Sequence, residues 1–173
     1  MDGPTYRIAA PVGRVFDLAR SVDAHMASTS QSGEKAIEGR TSGLIEEGET
    51  VTWEAAHFGV KQRLKVKMTK VERPFVFEDE MVSGTFSSMS HQHRFEEING
   101  VTKMIDRFEF RTPLGVLGKI AETLFLTNHM KSFLKKRNEE LKKMAESDLW
   151  QNYINETAHQ GASHNGGKPP RES

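Results

Sequence analysis

With 173 residues, 24 basic and 24 acidic side chains and no cysteine, the sequence describes one domain of ordinary size without net charge. The balanced charge gives no global field that would attract nucleic acid, and the lack of cysteine excludes a disulfide framework, a thiolate metal site and a cysteine nucleophile. No apolar run approaches the roughly 18 residues of a membrane span, and the N-terminus lacks the regions of a signal peptide, so we expect a cytoplasmic protein without stable membrane insertion.

The chain is predicted to begin with a strand and two short helices. Residues 5–9 have the character of a strand, and Pro11 suits the first turn of a helix to about Arg20, because the missing N–H of proline costs nothing there. Ser21 or Asp23 can cap a second short helix that runs through about residue 28. Two helices therefore interrupt the sheet early.

The middle of the chain is predicted to form an antiparallel meander. Alternating apolar and polar side chains divide it into six strands, at 36–42, 50–58, 61–71, 75–82, 86–98 and 101–111. The strands are joined by short turns, which make successive strands antiparallel neighbours, since a parallel return needs a crossover of about a dozen residues. The last turn is Asn99-Gly100, a pair typical of two-residue hairpins.

A long helix is predicted after the sheet, from Thr112 to about Glu146. Thr112 offers a capping hydroxyl, and Pro113 stands at the first helical position. Apolar residues then recur every three or four positions, with lysines over much of the remainder, so that one face packs and the other contacts water. We expect a domain at 1–146 and a polar, mobile tail at 147–173. Three side chains of the tail could extend the helix or dock on a partner: Trp150, Tyr153 and Ile154.

Period-2 counting along the strands places histidine and aspartate among apolar side chains on one concave face. The predicted face comprises Val51, Trp53, Ala55, His57, Leu64, Val66, Met68, Phe75, Phe77, Asp79, Met81, Met89, His91, His93, Met104, Asp106 and Phe108. A buried polar group without a partner costs about 1–3 kcal/mol, so each of these polar groups belongs in a packed core only if it is hydrogen-bonded.

The hairpin count gives one of the histidines a partner. A two-residue turn at Asn99-Gly100 sets His93 opposite Asp106, with Cβ atoms about 4.5–5.5 Å apart, which is within reach of a hydrogen bond. His91 gains no such partner from the count. His93 is therefore the predicted oriented imidazole, and His91 is freer to meet a ligand.

The order of elements resembles the helix-grip fold of the START/Bet v 1 superfamily, and residues 10–16, Ala-Pro-Val-Gly-Arg-Val-Phe, look like its opening signature. More narrowly, about residues 6–144 resemble bacterial SRPBCC (START/RHO-alpha-C/PITP/Bet v 1/CoxG/CalC) ligand-binding proteins of the polyketide-cyclase and cell-division-inhibitor-like type. This resemblance rests on Trp53…His57-Phe58-Gly59, Asp79-Glu80-Met81-Val82, His91-Gln92-His93-Arg94-Phe95 and Pro113-Leu114-Gly115…Leu117-Gly118. It implies an α+β fold with a curved antiparallel sheet wrapped around a long C-terminal helix, and no universal cofactor.

We predict from this fold a cavity between the sheet and the long helix that binds a small hydrophobic molecule, lipid-like, aromatic or polyketide-like. The predicted ligand contacts are Trp53, His57, Met68, Met81, Met89, His91, His93, Met104, Asp106, Phe108, Leu117, Ala121 and Phe125. The polar members could instead form a satisfied core network.

Three other functions compete with ligand binding. A cyclase or dehydratase would use His93 or His91 as general acid/base with Asp106 as its orienter. An interaction module would work through the long helix or the tail. A metal site is the weakest alternative, with Asp106 or His57 as third ligand beside the two histidines, and we expect neither metal nor cofactor. The expected partner is a small hydrophobic ligand and not nucleic acid, and a homodimer is allowed.

Overall fold

The computed structural model describes residues 2–57, 59–111 and 119–155, and in this part of the chain one antiparallel sheet of seven strands is covered by helices. The elements are β1 (Asp2–Ile8), α1 (Val12–Arg20), α2 (Val22–Ser28), β2 (Lys35–Gly39), β3 (Thr50–His57), β4 (Val60–Glu72), β5 (Val76–Ser83), β6 (Ser88–Ile98), β7 (Val101–Arg111) and α3 (Lys119–Ala145). Two short 3-10 helices, Ser30–Ser32 and Asp148–Asn152, complete them. Among these helices none has the length and apolar character that crossing a membrane requires.

The strand order β1-β7-β6-β5-β4-β3-β2 is the predicted meander with the first strand added beside the last. Because β1 and β2 lie at opposite edges, the chain must cross the whole sheet between them, and α1 and α2 make that crossing. The helices α1, α2 and α3 contact one another. One face of the sheet is thereby covered, as an antiparallel sheet with one apolar face requires.

The β6–β7 hairpin has the predicted register. Ile98 pairs with Val101 across the turn, and Asn99 and Gly100 both have positive φ, 54° and 77°, as a two-residue primed turn requires. Counting Ile98–Val101, eleven residue pairs form without a bulge, including His93 opposite Asp106.

The predicted strand β5 starts one residue too early, and the assignment of Phe75 to the concave face is wrong. Phe75 lies in the turn before β5, where its N–H donates to the carbonyl of Glu72, and 62% of its side chain is exposed. The alternation resumes correctly at Phe77, which is buried.

The helices have the predicted caps only in part. The Ser21 hydroxyl accepts a hydrogen bond from the Ala24 N–H at 3.2 Å, so Ser21 rather than Asp23 caps α2. The predicted start of the long helix at Thr112 and Pro113 lies outside the described residues.

The packed chain continues beyond the predicted domain end at residue 146. Ile154 is 7% exposed within the hydrophobic core, and the Arg14 guanidinium lies 4.4 Å from the ring centroid of Trp150. Burial of these apolar side chains offsets the ordering entropy that we expected to leave the segment mobile. The predicted tail therefore differs from the structure over 147–155, and residues 156–173 lie outside the described part.

Phe16 joins α1 to the sheet, and its loss should be costly. Its fully buried ring makes edge-on contacts with Phe77 and Phe95, at centroid distances of 5.4 and 5.3 Å. We expect Phe16→Ala to lower the free energy of unfolding in urea by about 3–5 kcal/mol, through lost burial and the cavity left behind. The control is Phe75→Ala, which removes the same atoms from an exposed site and should change it by less than about 0.5 kcal/mol. Equal losses in the two variants would contradict this packing role.

Candidate functional site

A cavity of about 360 Å³ lies between the concave face of the sheet and the helices. Strands β3 to β7, the end of α1, α2 and α3 all contribute to its wall. Most of the side chains that line it are apolar, and its polar groups come chiefly from β5, β6 and the helices. Small-molecule sites typically have such a wall, in which a few polar groups orient the ligand among apolar side chains.

The structure brings six of the predicted contacts together on the cavity wall: Trp53, Met68, Met89, His91, His93 and Phe108. Asp106 and Met104 are buried behind this wall and do not line it, and Met81 is half-buried beside it. The whole of Leu117 and the side chains of His57 and Ala121 lie outside the described residues.

The prediction for Phe125 needs a correction, because 59% of its side chain is exposed and it does not line the cavity. The described part of α3 turns a neighbouring face toward the cavity, with Leu126, Met130 and Phe133 at helical spacing. The periodicity count therefore places the packed face one residue off at this end of the helix.

The polar groups of the sheet lie in two adjacent cross-strand rows. In the first row, Asp79 of β5 is directly opposite His91 of β6. In the second row, Phe77 of β5 is opposite His93 of β6, which is opposite Asp106 of β7. The two imidazoles are neighbours along β6, with ring centroids 3.9 Å apart.

The second row contains a hydrogen-bonded His–Asp unit. His93 Nδ1 lies 2.7 Å from Asp106 Oδ1, and Asn138 Nδ2 of α3 donates to Asp106 Oδ2 at 2.5 Å. Because an ionised carboxylate can only accept, Nδ1 carries the imidazole proton and Nε2 is left with a lone pair. Asp106 thus fixes both the tautomer and the orientation of His93.

The network continues from Asn138 into the helices. The guanidinium of Arg137 donates to Asn138 Oδ1 at 3.2 Å, to the carbonyl of Ala19 at 3.1 Å and to His25 Nδ1 at 3.3 Å. His25 Nε2 therefore carries the proton that is shared with Glu34 Oε2 at 2.9 Å. One chain of hydrogen bonds runs from His93 in the sheet to Glu34 beyond α2.

Our sequence reasoning missed the helical half of this network. Asn138 was detectable, since it lies four residues after Leu134 and three before Leu141, on the same buried helical face. Arg137 falls within the basic face that the sequence predicts to be solvated, and His25 has no pattern around it. Only the packing of α2 against α3 brings these two side chains together.

Electrostatics separate the paired row from the unpaired one. Burial by itself would raise the pKa of Asp106, but the electrostatic attraction and hydrogen bond of His93 lower it below its usual range. Burial lowers the pKa of His93 against the opposing effect of Asp106, so a neutral imidazole faces an ionised carboxylate.

In the first row the electrostatic effects of Arg137 on Asp79 and of Asp106 on His91 oppose burial but do not overcome it. Burial raises the pKa of Asp79 to about 7, and its carboxyl makes no hydrogen bond or ion pair with the described residues. Burial also lowers the pKa of His91 well below its usual value, and His91 Nε2 is buried without a hydrogen-bond partner in the described structure. Asp79 and His91 are therefore polar groups that line the cavity without a hydrogen-bond partner for their side chains in the described structure, although His91 Nε2 lies 3.9 Å from Asp106 Oδ2.

Comparison with known proteins gives the fold a name. No protein-family model and no curated protein sequence matches the chain. Among solved structures, TTHA0849 from Thermus thermophilus has a TM-score of 0.68 at 14% identity, covering 84% of this chain and 97% of that one. Major latex-like protein 151 from Panax ginseng has a TM-score of 0.57 at 12% identity, covering 84% and 95%. The Zhui aromatase/cyclase from Streptomyces sp. R1128 has a TM-score of 0.59 at 15% identity, covering 83% and 94%.

These likenesses establish the Bet v 1-like helix-grip fold, which confirms the fold that the sequence predicted. They span nearly the whole length of the three structures. At identities of 12–15% they show the fold alone, and function must be argued from the site.

The raised pKa of Asp79 predicts a particular pH dependence of stability. Below about pH 4 the carboxyl is protonated in both states, whereas between about pH 4 and 7 only the unfolded chain ionises, so the folded state loses relative stability as pH rises. Asp79→Asn cannot titrate. We expect the free energy of unfolding of Asp79→Asn in urea, measured relative to that of the natural chain, to increase by about 1–2 kcal/mol from pH 4 to 7.5. This increase is smaller than the difference between the folded and unfolded pKa values would give, because the carboxyl is only half-buried.

Glu78→Gln is the matched control for this measurement, since it removes the same charge from the adjacent position on the other face of β5. The natural chain and the two variants are all measured in the presence of a metal chelator, so that no metal ion bound by the carboxylate affects its titration. A constant difference between Asp79→Asn and the natural chain across this pH range would contradict the prediction.

Proposed function

We propose that this chain binds a small, largely hydrophobic molecule, lipid-like, aromatic or polyketide-like, in the cavity between the sheet and α3. The observation that carries the proposal is an apolar cavity of about 360 Å³ that contains two unpaired polar groups, Asp79 and His91. Its volume falls within the range of small-molecule sites. Without a ligand, His91 Nε2 stays buried without a hydrogen bond and Asp79 has no hydrogen-bond partner, whereas a ligand with one polar atom satisfies both groups.

The polar pair specifies the kind of ligand. Near neutral pH the Asp79 carboxyl is partly protonated and can donate a hydrogen bond, and His91 Nε2 needs a partner of its own. A hydroxyl or carbonyl oxygen at one end of an apolar skeleton fits this pair. Met68 and Met89 on the wall supply flexible, polarizable contacts that adapt to an irregular skeleton.

The comparisons support this proposal at the level of fold. One structural neighbour is named as an aromatase/cyclase, and another as a major latex-like protein. The cell-division-inhibitor-like subgroup, a cytoplasmic location, the lack of a nucleic-acid partner and a homodimer stay predictions of the sequence.

Filling the cavity should weaken binding without changing its polar groups. Ala55 is buried on the cavity wall, and Ala56 is its exposed neighbour on the other face of β3. We expect Ala55→Phe to raise the dissociation constant of an uncharged naphthylamine dye at least 10-fold, which corresponds to about 1.4 kcal/mol. Ala56→Phe should leave it unchanged, with both measured by fluorescence titration. Equal dye affinity in the two folded variants would overturn the proposed binding site.

A cyclase- or dehydratase-type activity is a second candidate, and the 2.7 Å contact between His93 and Asp106 favours it. Asp106 orients the neutral imidazole and stabilises the imidazolium that forms when Nε2 takes a proton. In a dehydration, that proton would come from the carbon next to a carbonyl and would then pass from the imidazolium to the hydroxyl on the β-carbon, which leaves as water while the C=C bond forms. His93 is the general acid/base in this reaction, and Asp106 positions it.

The catalytic candidate is tested with His93→Gln on an aromatic β-hydroxy ketone that the natural chain dehydrates. We expect turnover to fall by about 10²–10⁴-fold, because a positioned acid/base contributes that much, while binding of the naphthylamine dye is retained. His91→Gln is the comparison, since it removes an imidazole that makes no hydrogen bond to Asp106. Turnover that survives His93→Gln unchanged would refute the catalytic role and leave ligand binding in place.

A further inference from the structure

We propose that Asp79, His91 and His93 form a binding site for one divalent transition-metal ion, of which Zn²⁺ is the representative, on the wall of the cavity. One ligand atom from each of these side chains lies within 4.8 Å of the other two. Ligand atoms at 2.0–2.1 Å from a tetrahedral zinc ion are about 3.4 Å apart. Small side-chain rotations on adjacent strands are enough to bring the three atoms to that spacing.

The unpaired state of these atoms is the first support for a metal ion. The Asp79 carboxyl has no hydrogen bond or ion pair with the described residues, and His91 Nε2 is buried without a hydrogen-bond partner there, 3.9 Å from Asp106 Oδ2. A buried polar atom without a hydrogen bond destabilises the folded state. A single ion accepts the lone pairs of both groups, together with that of His93 Nε2.

The surroundings of His93 are the second support. Metal-binding histidines usually donate their other N–H to a carboxylate, which fixes the tautomer and makes the ring a better ligand. The 2.7 Å bond from His93 Nδ1 to Asp106 provides this arrangement, and Asn138 in turn holds Asp106. The two hydrogen bonds leave Nε2 as the ring nitrogen that is able to bind an ion.

The ligand set favours zinc-like ions over calcium or magnesium. Two imidazoles and one carboxylate suit Zn²⁺ and similar ions, whereas Ca²⁺ and Mg²⁺ prefer oxygen ligands throughout. Three protein ligands leave a fourth position open, and the cavity supplies the space for it.

The charge of the surroundings indicates what would occupy that fourth position. Asp79 and Asp106 together match the charge of a divalent ion, and the positive charge of Arg137, which acts electrostatically on both carboxylates, is balanced by Glu34 at the far end of the hydrogen-bond chain. A neutral fourth ligand, such as water or a carbonyl or hydroxyl oxygen, therefore completes the site. This inference goes beyond the proposed binding of a hydrophobic molecule and does not depend on it.

The experiment uses the full chain with any affinity tag removed and with His159 and His164 changed to Ala, so that these imidazoles do not contribute. The chelator-treated protein is titrated with Zn²⁺ by calorimetry and with Co²⁺ by visible absorption. We expect one ion per chain. Asp79→Asn and His91→Asn should each weaken Zn²⁺ binding at least 10-fold, whereas Glu78→Gln, the matched charge change on the opposite face of β5, should not.

Several outcomes would overturn the proposal. The first is that the protein does not bind Zn²⁺ up to about 1 mM. The second is that Asp79→Asn and Glu78→Gln bind Zn²⁺ equally well, and the third is that Mg²⁺ binds as tightly as Zn²⁺. Should the variants fail to fold, as judged by circular dichroism, the natural pair of imidazoles decides: the NMR signals of His91 and His93 must shift on adding Zn²⁺, and unchanged signals refute the site.

The two proposals fail separately. The dye titration is done with and without chelator, and dye binding that is absent in both conditions counts against the hydrophobic ligand and says nothing against the ion. Retained dye binding with no bound Zn²⁺ counts against the ion alone.

Discussion

The structure depends on one buried charge, the carboxylate of Asp106, which is almost completely removed from solvent. An ionised carboxylate in the interior is tolerated only when it is paired and hydrogen-bonded. One oxygen of Asp106 receives His93 from the neighbouring strand, and the other receives Asn138 from α3. The need to satisfy this group therefore fixes the distance between sheet and helix at the position where the cavity begins.

The side chains of the helices that hold Asp106 must themselves be hydrogen-bonded. Asn138 can hold Asp106 in this orientation because Arg137 occupies its carbonyl oxygen, and Arg137 is itself held by the end of α1 and by His25. The His25 ring stacks on Trp53 at a centroid distance of 4.1 Å, which brings the network back to the sheet. Beside the cavity, these hydrogen bonds therefore form one network in which each side chain is held by the next. Replacing one partner leaves another buried and unpaired.

The side chains best placed to bind a ligand are the ones that this hydrogen-bond network does not include. Asp106 is hydrogen-bonded through both oxygens and holds His93 in place, whereas Asp79 and His91, one row away, face the cavity without hydrogen-bond partners. A protein retains such desolvated groups where an external group satisfies them, and perturbed titratable groups in a cavity commonly mark functional sites. The polar atom of a hydrophobic ligand and a metal ion are two ways to satisfy them, and both use the preorganised imidazole of His93.

The sequence alone determined the meander, the hairpin register and the partnership of His93 with Asp106, because each follows from local rules: period-2 alternation, a two-residue Asn-Gly turn and direct cross-strand opposition. Its resemblance to the helix-grip group also predicted the fold. Only the tertiary structure decided which helical residues join the site, since the placement of Arg137 and His25 depends on how α2 and α3 pack. It also decided the face of α3 at Phe125 and the docking of Ile154, because the direction of a helical face and the burial of a chain end are set by long-range contacts. Finally, the tertiary structure placed Asp79 opposite His91. The sequence could not predict this pair, because β5 and β6 are not joined by a two-residue turn from which the register can be counted.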